Sequence, residues 1–383
     1  MQMTKYKLGD LIIQRREKNN NYNVPIRGVS KEGFIRAKQQ EADTSIYNVF
    51  YKYDFVFNPA RMELNSIALN IEYEKALCSS LYEVFYVKDE NIVLPEFLNL
   101  HIKRDEFARH CDYIGLGSAR EYCRFANISE FEIELPPIAV QQEIVDADRQ
   151  IKRRIRLNEQ MIEKLEATAQ ALYRHTFVDN IDKQNLPQGW HLATLGEVGE
   201  IVSGATPKTE IPEYWSDNNN EGIAWISPAD LSKQGTLYIA RGNKSITNAG
   251  YNSCSTKMLP AGSILFSSRA PIGLMAIAAN EVCTNQGFKS IVLKEDYMCE
   301  YLYMTLQNEK DIIAGEGSGS TFDEISAQTF KNYTITLPSN EVILVFHKQV
   351  EPIFHAIYLK QQENIKLTEL QSLLLAKMGQ HSK

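Results

Sequence analysis

Residues 115–177 read GLGSAREYCRFANISEFEIELPPIAVQQEIVDADRQIKRRIRLNEQMIEKLEATAQALYRHTF, and the chain repeats this stretch as GSGSTFDEISAQTFKNYTITLPSNEVILVFHKQVEPIFHAIYLKQQENIKLTELQSLLLAKM at residues 317–378. A shift of 202 positions aligns the two copies without a gap, and it places Pro338 on Pro136 and Leu367 on Leu165. Each copy is predicted to form a glycine-rich turn, a short helix, a strand that ends in Leu-Pro, and a long helix. The repeat therefore predicts a molecule built from two related units.

The long helices are predicted at 138 to about 178 and at 339 to 379, and each carries a seam with alternating steps of four and three residues. That spacing is typical of a coiled coil. Asn158 is a polar residue in the first seam, and such residues set register more than they add stability. Pro352 should kink the second helix or start a new one. The apolar seam positions are Ile151, Ile155, Ile162, Leu165 and Leu172 in the first helix and Ile353, Ile357, Leu367 and Leu374 in the second.

A globular part precedes each long helix. The segment LGEV at 195–198 echoes LGDL at 8–11 at a shift of 187 residues, so the two parts share a frame while their loops differ in length. Strand and helix signals alternate in both, which predicts an α/β (α+β) fold with a pseudo-twofold internal repeat. The predicted domains are residues 1–137 and 181–338, each followed by a helical segment, at 138–180 and 339–383.

The composition is that of an ordinary soluble globular protein, with 44% hydrophobic and 23% charged residues in 383. No run approaches the roughly 18 apolar residues of a membrane helix, and the N-terminus lacks an export signal, so a cytoplasmic location is expected. The net charge of −7 counts against a protein that binds nucleic acid alone, but not against one with clustered basic residues or with basic partners.

Motifs that would indicate an enzyme are missing from the sequence. It contains no GxxxxGK[ST] phosphate loop, no [DN]PP[YF] motif of an amino-methyltransferase, and no PD…ExK nuclease pattern. The seven histidines show no metal-binding spacing, and the six cysteines form no CxxC pair, so we expect no metal site and reduced thiols. The sequence favours a binding or scaffolding protein.

A series of short motifs resembles the target recognition domains of type I restriction-modification specificity subunits. The Leu-Pro-Pro sequence with its long helix, and the repeat of this pair, resemble the central and distal conserved regions of that family. The resemblance covers nearly the whole chain, and its strength lies in the order and duplication of the motifs. The motifs are IRGVSKEG (26–33) and DFVFNPAR (54–61) in the first half, and TPK (206–208), PEYW (212–215), IAWISPADL (223–231), GSILFSSRAPIG (262–273) and TNQGFKSI (284–291) in the second.

The resemblance implies that each globular part is a target recognition domain for one half of a split site in double-stranded DNA. It also implies that the long helices pack antiparallel and hold the two domains apart. About 40 helical residues span roughly 60 Å, which is under two turns of DNA at about 34 Å per turn, so a spacer of unread bases is sensible.

The resemblance further implies a non-catalytic chain that binds no cofactor itself. The family's partners are two modification subunits, which use S-adenosylmethionine to methylate adenine, and restriction subunits, which use ATP and Mg²⁺ to translocate and cut DNA. The missing methyltransferase and ATPase motifs agree with that division of labour.

Candidate DNA-binding residues lie in loops and strand ends beside proline or glycine. Arginine and lysine can form hydrogen bonds with guanine, whereas asparagine and glutamine can form them with adenine. Most contacts of basic residues, however, go to phosphate. The candidates are Lys31, Asn58 and Arg61 in the first half, and Lys208, Ser268, Arg269, Gln286 and Lys289 in the second.

Structural roles compete with these assignments. Ser268, Arg269 and Gln286 belong to the recurrent family pattern, which favours a frame or phosphate role over the choice of sequence. The loops 30–47, 216–222 and 233–250 are alternative sites for specificity. A basic cluster on the first long helix is either a solvated face or a stripe that faces phosphate or a partner; it comprises Arg149, Lys152, Arg153, Arg154 and Arg156.

Two other classes of function stay open at this point. The first is an orphan coiled-coil DNA-binding or scaffold protein without restriction activity, which would lack a methyltransferase partner. The second, a standalone nuclease or methyltransferase, is disfavoured by the missing motifs. The sequence does not give the target sequence or the spacer length.

Overall fold

The computed structural model describes residues 3–37, 43–115, 122–179, 181–216, 221–269, 271–316 and 324–380. The chain divides into two compact units, of which the first is Met1–Arg154 with Lys366–Lys383 and the second is Ile155–Ile365. The border falls inside both long helices, and the domain limits at 137 and 338 stay a prediction. Most of each predicted glycine-rich turn, at 116–121 and 317–323, lies outside the described residues.

Unit 1 is built on a four-stranded antiparallel sheet in the order β2-β9-β6-β7, beside the pairs β1-β10, β3-β4 and β5-β8. Phe55, Phe57 and Phe85 are fully buried on the larger sheet, where aromatic residues favour strand. The strands are β1 (Thr4–Lys7), β2 (Ile12–Arg15), β3 (Arg27–Ser30), β4 (Gly33–Arg36), β5 (Asn48–Tyr51), β6 (Phe55–Phe57), β7 (Ile67–Leu69), β8 (Lys75–Cys78), β9 (Glu83–Val87) and β10 (Glu132–Leu135).

The helices of unit 1 cover one core of buried apolar residues that includes Leu8, Phe97 and Phe107. A 3₁₀ helix, Pro59–Leu64, follows β6. The α-helices are α1 (Leu8–Leu11), α2 (Pro95–Ile102), α3 (Asp105–Gly115), α4 (Phe125–Ser129) and the first long helix, α5 (Ile138–Phe177).

Unit 2 contains a five-stranded sheet in the order β12-β19-β16-β17-β14, a three-stranded sheet β15-β13-β18 and the pair β11-β20. Its strands are β11 (His191–Thr194), β12 (Gly199–Ser203), β13 (Ile223–Ile226), β14 (Tyr238–Ile239), β15 (Lys244–Ile246), β16 (Ile264–Phe266), β17 (Met275–Ala278), β18 (Cys283–Thr284), β19 (Lys289–Leu293) and β20 (Thr334–Leu337). Its helices are α6 (Leu195–Val198), α7 (Pro228–Gln234), α8 (Asn248–Asn252), α9 (Cys299–Gly315), α10 (Ala327–Asn332) and the second long helix, α11 (Asn340–Gln380).

The duplication predicted from the sequence is present in the strand pairing. In unit 1, β1 pairs antiparallel with β10, with Thr4 opposite Leu135. In unit 2, β11 pairs in the same way with β20, with His191 opposite Leu337. The shifts of 187 and 202 residues that relate the two halves of the sequence connect these two pairs residue by residue. The α+β class and the tandem repeat are therefore confirmed.

The two long helices pack antiparallel inside each unit. In unit 1, Nε2 of Gln371 donates to Oδ1 of Asp148 at 2.7 Å, and Met378 shares a core with Val145. In unit 2, Nδ2 of Asn158 donates to Oδ1 of Asn364 at 2.9 Å. Further along the same pair of helices, Phe177 packs against Phe346 with ring centroids 4.8 Å apart.

The predicted seam residues all lie at buried or half-buried positions of these helices. Ile151 and Ile357 are buried, and Ile155, Leu367 and Leu374 are half-buried. The other four seam residues pack against the core of unit 2; they are Ile162, Leu165, Leu172 and Ile353. The second helix does not restart at Pro352, because α11 is continuous through that residue. Among the described residues, no helix has both the length and the apolar character needed to cross a bilayer.

Candidate DNA interface

A cleft of about 1000 Å³ lies on unit 1 between the β3–β4 hairpin and the 3₁₀ helix that follows β6. The structure brings three predicted residues, Lys31, Asn58 and Arg61, together in its wall. With Lys31 and Arg61 included, five basic side chains face three acidic ones, a balance that favours an anionic ligand. The other charged residues of the wall are Arg27, Glu32, Arg36, Glu63, Lys103 and Asp105.

The β3–β4 hairpin presents Lys31 at its tip. The backbone N–H of Glu32 donates to Oγ of Ser30 at 3.2 Å, which closes the turn. Gly33 follows at a φ of +125°, a conformation that side-chain-bearing residues rarely adopt. The Lys31 side chain is exposed and can reach a ligand in the cleft.

Lys103 fixes this hairpin tip to the sheet. Its ammonium Nζ donates to the backbone oxygens of Lys31, at 3.2 Å, and of Ile67, at 2.9 Å. Burial lowers the pKa of the Lys103 ammonium. With its bonds directed at two carbonyls, Lys103 positions the hairpin, whereas Lys31 is free to contact a ligand.

Asn58 and Arg61 belong to the 3₁₀ helix that forms the opposite wall. The side-chain oxygen of Asn58 accepts from the backbone N–H of Ala60 at 3.1 Å and caps this helix. Arg61 departs from helical geometry, with φ −140° and ψ 29°, and its side chain is exposed. Arg61 is therefore suited to contact DNA, while half of the Asn58 amide is already engaged.

Three basic residues of the cleft, Arg27, Arg36 and Lys103, were not among the candidate residues of the first half, although Arg36 lies in the alternative loop 30–47. The Arg27 guanidinium donates from Nε to the hydroxyl of Tyr73 at 2.8 Å and lies 4.8 Å from the centre of that ring. Lys103 lies in no motif. Arg27 pairs across the hairpin with Arg36, so the signal that could have found it was a pair of basic residues on either side of the Lys-Glu-Gly sequence at 31–33.

In unit 2, Ser268 is fully buried. Its backbone N–H donates to the oxygen of Gly287 at 2.8 Å, and its own carbonyl accepts from Ile325 at 3.0 Å. The Ser268 side chain therefore has no exposed surface for contact with a DNA duplex. The position favours the structural role for Ser268, and its contact with DNA stays a prediction.

Arg269 and Lys289 share one carboxylate, that of Glu324. Nε of Arg269 lies 2.9 Å from one oxygen, and Nζ of Lys289 lies 3.4 Å from the other. Lys289 is only 7% exposed, whereas the Arg269 side chain is 46% exposed. The two cations lower the pKa of Glu324 against the opposing effect of its burial. Of this pair, Arg269 is the better placed to meet phosphate.

Gln286 and Lys208 are exposed polar residues of unit 2. Gln286 accepts a hydrogen bond from the hydroxyl of Thr206, and the carbonyl of Lys208 accepts from Nε1 of Trp215 at 3.3 Å. The segment that carries Thr206 and Lys208 begins at Gly204, where any side chain would collide with the backbone of Thr284. The hydrogen bond between Thr206 and Gln286 joins the segment that carries Lys208 to the loop that carries Gln286.

The tryptophans behave as packing residues rather than as surfaces for base stacking. Trp215 and Trp225 meet edge to face with ring centroids 5.1 Å apart, and Trp225 is 7% exposed. No group of three or more His, Cys, Asp or Glu side chains in the described ranges is arranged to hold a metal ion. The arrangement of both units is suited to binding.

Comparison with known families identifies the repeated unit. The model of the type I restriction modification DNA specificity domain matches twice, at residues 2–167 and 187–373. Each match contains one globular part and part of the long helix that follows it.

Two relatives illustrate the sequence similarity. The type I restriction enzyme MjaIX specificity subunit of Methanocaldococcus jannaschii is 39% identical over 162 residues, which are 42% of this chain and 37% of that subunit. The type I restriction enzyme HindI specificity subunit of Haemophilus influenzae is 26% identical over 363 residues, with 75% of this chain and 77% of that subunit covered.

The fold is similar to that of a crystallised S subunit of a type I restriction-modification system from M. genitalium. The TM-score is 0.60 at 14% identity, and the alignment covers 98% of this chain and 96% of that one.

Proposed function

This chain belongs to the family of type I restriction modification DNA specificity domains, and from that membership we propose that it selects the DNA sequence on which a type I complex acts. The observation that carries the proposal is the tandem match of the family model to both halves of the chain. Specificity subunits of this family are not catalysts, so the chemistry lies on partner subunits.

In this proposal, each half of the chain recognises one half of a split target in double-stranded DNA. The cleft of unit 1 offers Lys31 and Arg61 as exposed cations, and unit 2 offers Lys208, Arg269 and Gln286. Cations that neutralise phosphates make binding strongly dependent on salt, while contacts to base edges choose the sequence. We propose that the long helices set the gap between the two half-sites.

The partners in this proposal are two modification subunits and, in the full complex, restriction subunits. The modification subunits carry S-adenosylmethionine and methylate adenine, and the restriction subunits use ATP and Mg²⁺. This chain contributes protein and DNA contacts but no cofactor. Because its substrate is cellular DNA, the complex would work in the cytoplasm.

The test is to co-express the chain with the modification subunit of its own system and to map methylated adenines across the host genome. We expect one split motif with a constant gap, and none in cells that hold the modification subunit alone. A stable complex that methylates without a bipartite motif, or that does not methylate, would contradict the proposal.

A further inference from the structure

Units 1 and 2 carry opposite charges at one equivalent position of the duplicated fold. In unit 1, Glu96 at the start of α2 binds Arg149 of α5, with an oxygen–nitrogen distance of 2.6 Å. The duplication relates Glu96 to Glu300 and Arg149 to Glu351. Unit 2 thus has a second carboxylate where unit 1 has a guanidinium.

The neighbouring basic residues on this face of the first helix are also replaced in the second helix, by aromatic side chains and a histidine. The basic side chains Lys152, Arg153 and Arg156 of α5 correspond to Phe354, His355 and Tyr358 of α11 at the same shift of 202. Two cations of the first helix are paired within unit 1, because Arg149 binds Glu96 and Lys152 pairs with Asp148 at 2.7 Å. The same face of the second helix carries Lys348 and His355, but among the described residues neither forms an ion pair with Glu351.

A cleft of about 340 Å³ occupies this place in unit 2. Glu300 and Glu351 provide its acidic wall, and aromatic rings provide much of the rest. Tyr238 and Tyr358 meet edge to face at 5.3 Å between ring centroids. Small residues leave the space open; they are Ala261, Gly262, Ala278 and Ala279.

The carboxylates of this cleft lack a permanent cationic partner. A carboxylate oxygen of Glu300 forms a hydrogen bond with Nδ1 of His347 at 2.8 Å. The Glu300 side chain is 9% exposed. Burial raises the pKa of Glu300, the hydrogen bond with His347 opposes this rise in part, and the charge of Glu351 adds slightly to it. Among the described residues, Glu351 forms no ion pair with a lysine or arginine. A positive group in the cleft would relieve this repulsion, and aromatic faces attract cations when they are desolvated.

We propose that this cleft is a docking site for an arginine or lysine side chain of the modification subunit. The Glu96–Arg149 pair shows, within the same chain, that the frame accepts a guanidinium at this position. The space, the two carboxylates and the aromatic walls fit one long cationic side chain, and a guanidinium can bond a carboxylate through two N–H groups at once. The choice of partner rests on the proposed function.

The first test is Glu351→Arg in the full-length chain, with binding of the purified modification subunit as the measurement. The new guanidinium would occupy the cleft and reproduce in unit 2 the pair of unit 1. We expect affinity for the modification subunit to fall at least tenfold, and the melting temperature of the free chain to stay or rise. Glu295→Arg is the matched control, because it reverses an exposed charge of unit 2 outside the cleft.

A second variant, Glu351→Gln, removes the charge without adding bulk and covers the case in which Glu351→Arg fails to fold. We expect a loss of affinity of several-fold at unchanged melting temperature. Wild-type affinity of a folded Glu351→Arg or Glu351→Gln variant would overturn the docking site. Self-association of the free chain that Glu351→Arg abolishes, with unchanged binding of the modification subunit, would assign the cleft to a second copy and also overturn it.

The outcome for the cleft is separable from that for the proposed function. A complex of the Glu351→Arg variant that forms normally and methylates the wild-type motif would remove the docking site and leave the specificity role intact. A wild-type complex without a bipartite motif would remove the specificity role, whatever the affinities show.

Discussion

Lys103 connects the tip of the β3–β4 hairpin to the sheet behind it, so we expect any effect of Lys103 on DNA binding to pass through Lys31. Lys103→Met keeps the length of the side chain but leaves the carbonyls of Lys31 and Ile67 without their donor. We expect an affinity loss of about tenfold for target DNA, since a hydrogen bond from a charged group contributes about 1.5–3 kcal/mol. DNA binding by the assembled complex, measured at several salt concentrations, is the readout.

Two controls separate positioning from general stability. Lys88→Met removes an exposed lysine of the same unit that also donates to a backbone oxygen, that of Gly9 at 2.8 Å, but lies outside the cleft. Lys103→Arg retains a donor and should recover most of the affinity. Equal losses in Lys88→Met and Lys103→Met would show that Lys103 acts only through the fold.

At the residue scale, exposed candidate residues were easier to predict from the sequence than the residues that hold them in position. Lys31 and Arg61 follow from loop signals beside glycine and proline, because such signals are local. Lys103 does not, because its role depends on two carbonyls 72 and 36 positions away. In the same way, the pairing of Arg269 and Lys289 through Glu324 joins three distant segments that no spacing rule connects.

At the element scale, the long helices were predictable because a seam is a sequential pattern. The predicted first helix ends within one or two residues of the observed end at Phe177. The effect of Pro352 was harder to predict. A proline removes one helical hydrogen bond and crowds the preceding turn, yet α11 is helical through Pro352, and Phe354 and Ile357 beyond it are buried.

The Asn158–Asn364 pair should set the register of the two long helices at a cost in stability. Asn158 is 1% exposed, and its Oδ1 has no hydrogen-bond partner among the described residues. We expect the double change Asn158→Leu with Asn364→Leu to raise the free energy of unfolding by about 1 kcal/mol or more, because buried polar groups at seam positions cost stability. Thermal and urea unfolding of the full chain are the measurements.

The single variants complete this test. Asn158→Leu alone removes the hydrogen bond that Asn158 donates to Asn364 while the polar Asn364 stays at the seam, so it should be less stable than the double variant. Asn308→Leu makes the same replacement at an exposed helical site of unit 2 and should change little. A double variant less stable than the wild type would show that the pair stabilises the helices rather than only aligning them.

At the scale of the molecule, the duplication predicts that the second globular part, residues 190–338, can be exchanged as a unit. His191 and Leu337 face each other in the β11–β20 pair, so the segment 190–338 begins and ends at one place. We expect a chain that carries this segment from a relative with another target to change one half of the methylated motif and to keep the other half and the gap. Methylome sequencing gives the answer, and a change in both halves would contradict independent recognition.

Unit 1 is assembled from segments near both ends of the chain, and this sets the order in which the two units can be completed during translation. Its core contains Met378 beside residues of the first 150 positions, and residues 366–383 belong to it. A ribosome must therefore synthesise all of Ile155–Ile365 before unit 1 has its last pieces. At about 5–20 residues per second this takes on the order of 10–40 s. The half of the molecule that is made first is therefore completed last, and a chain that stops before Lys366 lacks the second helix of its first unit.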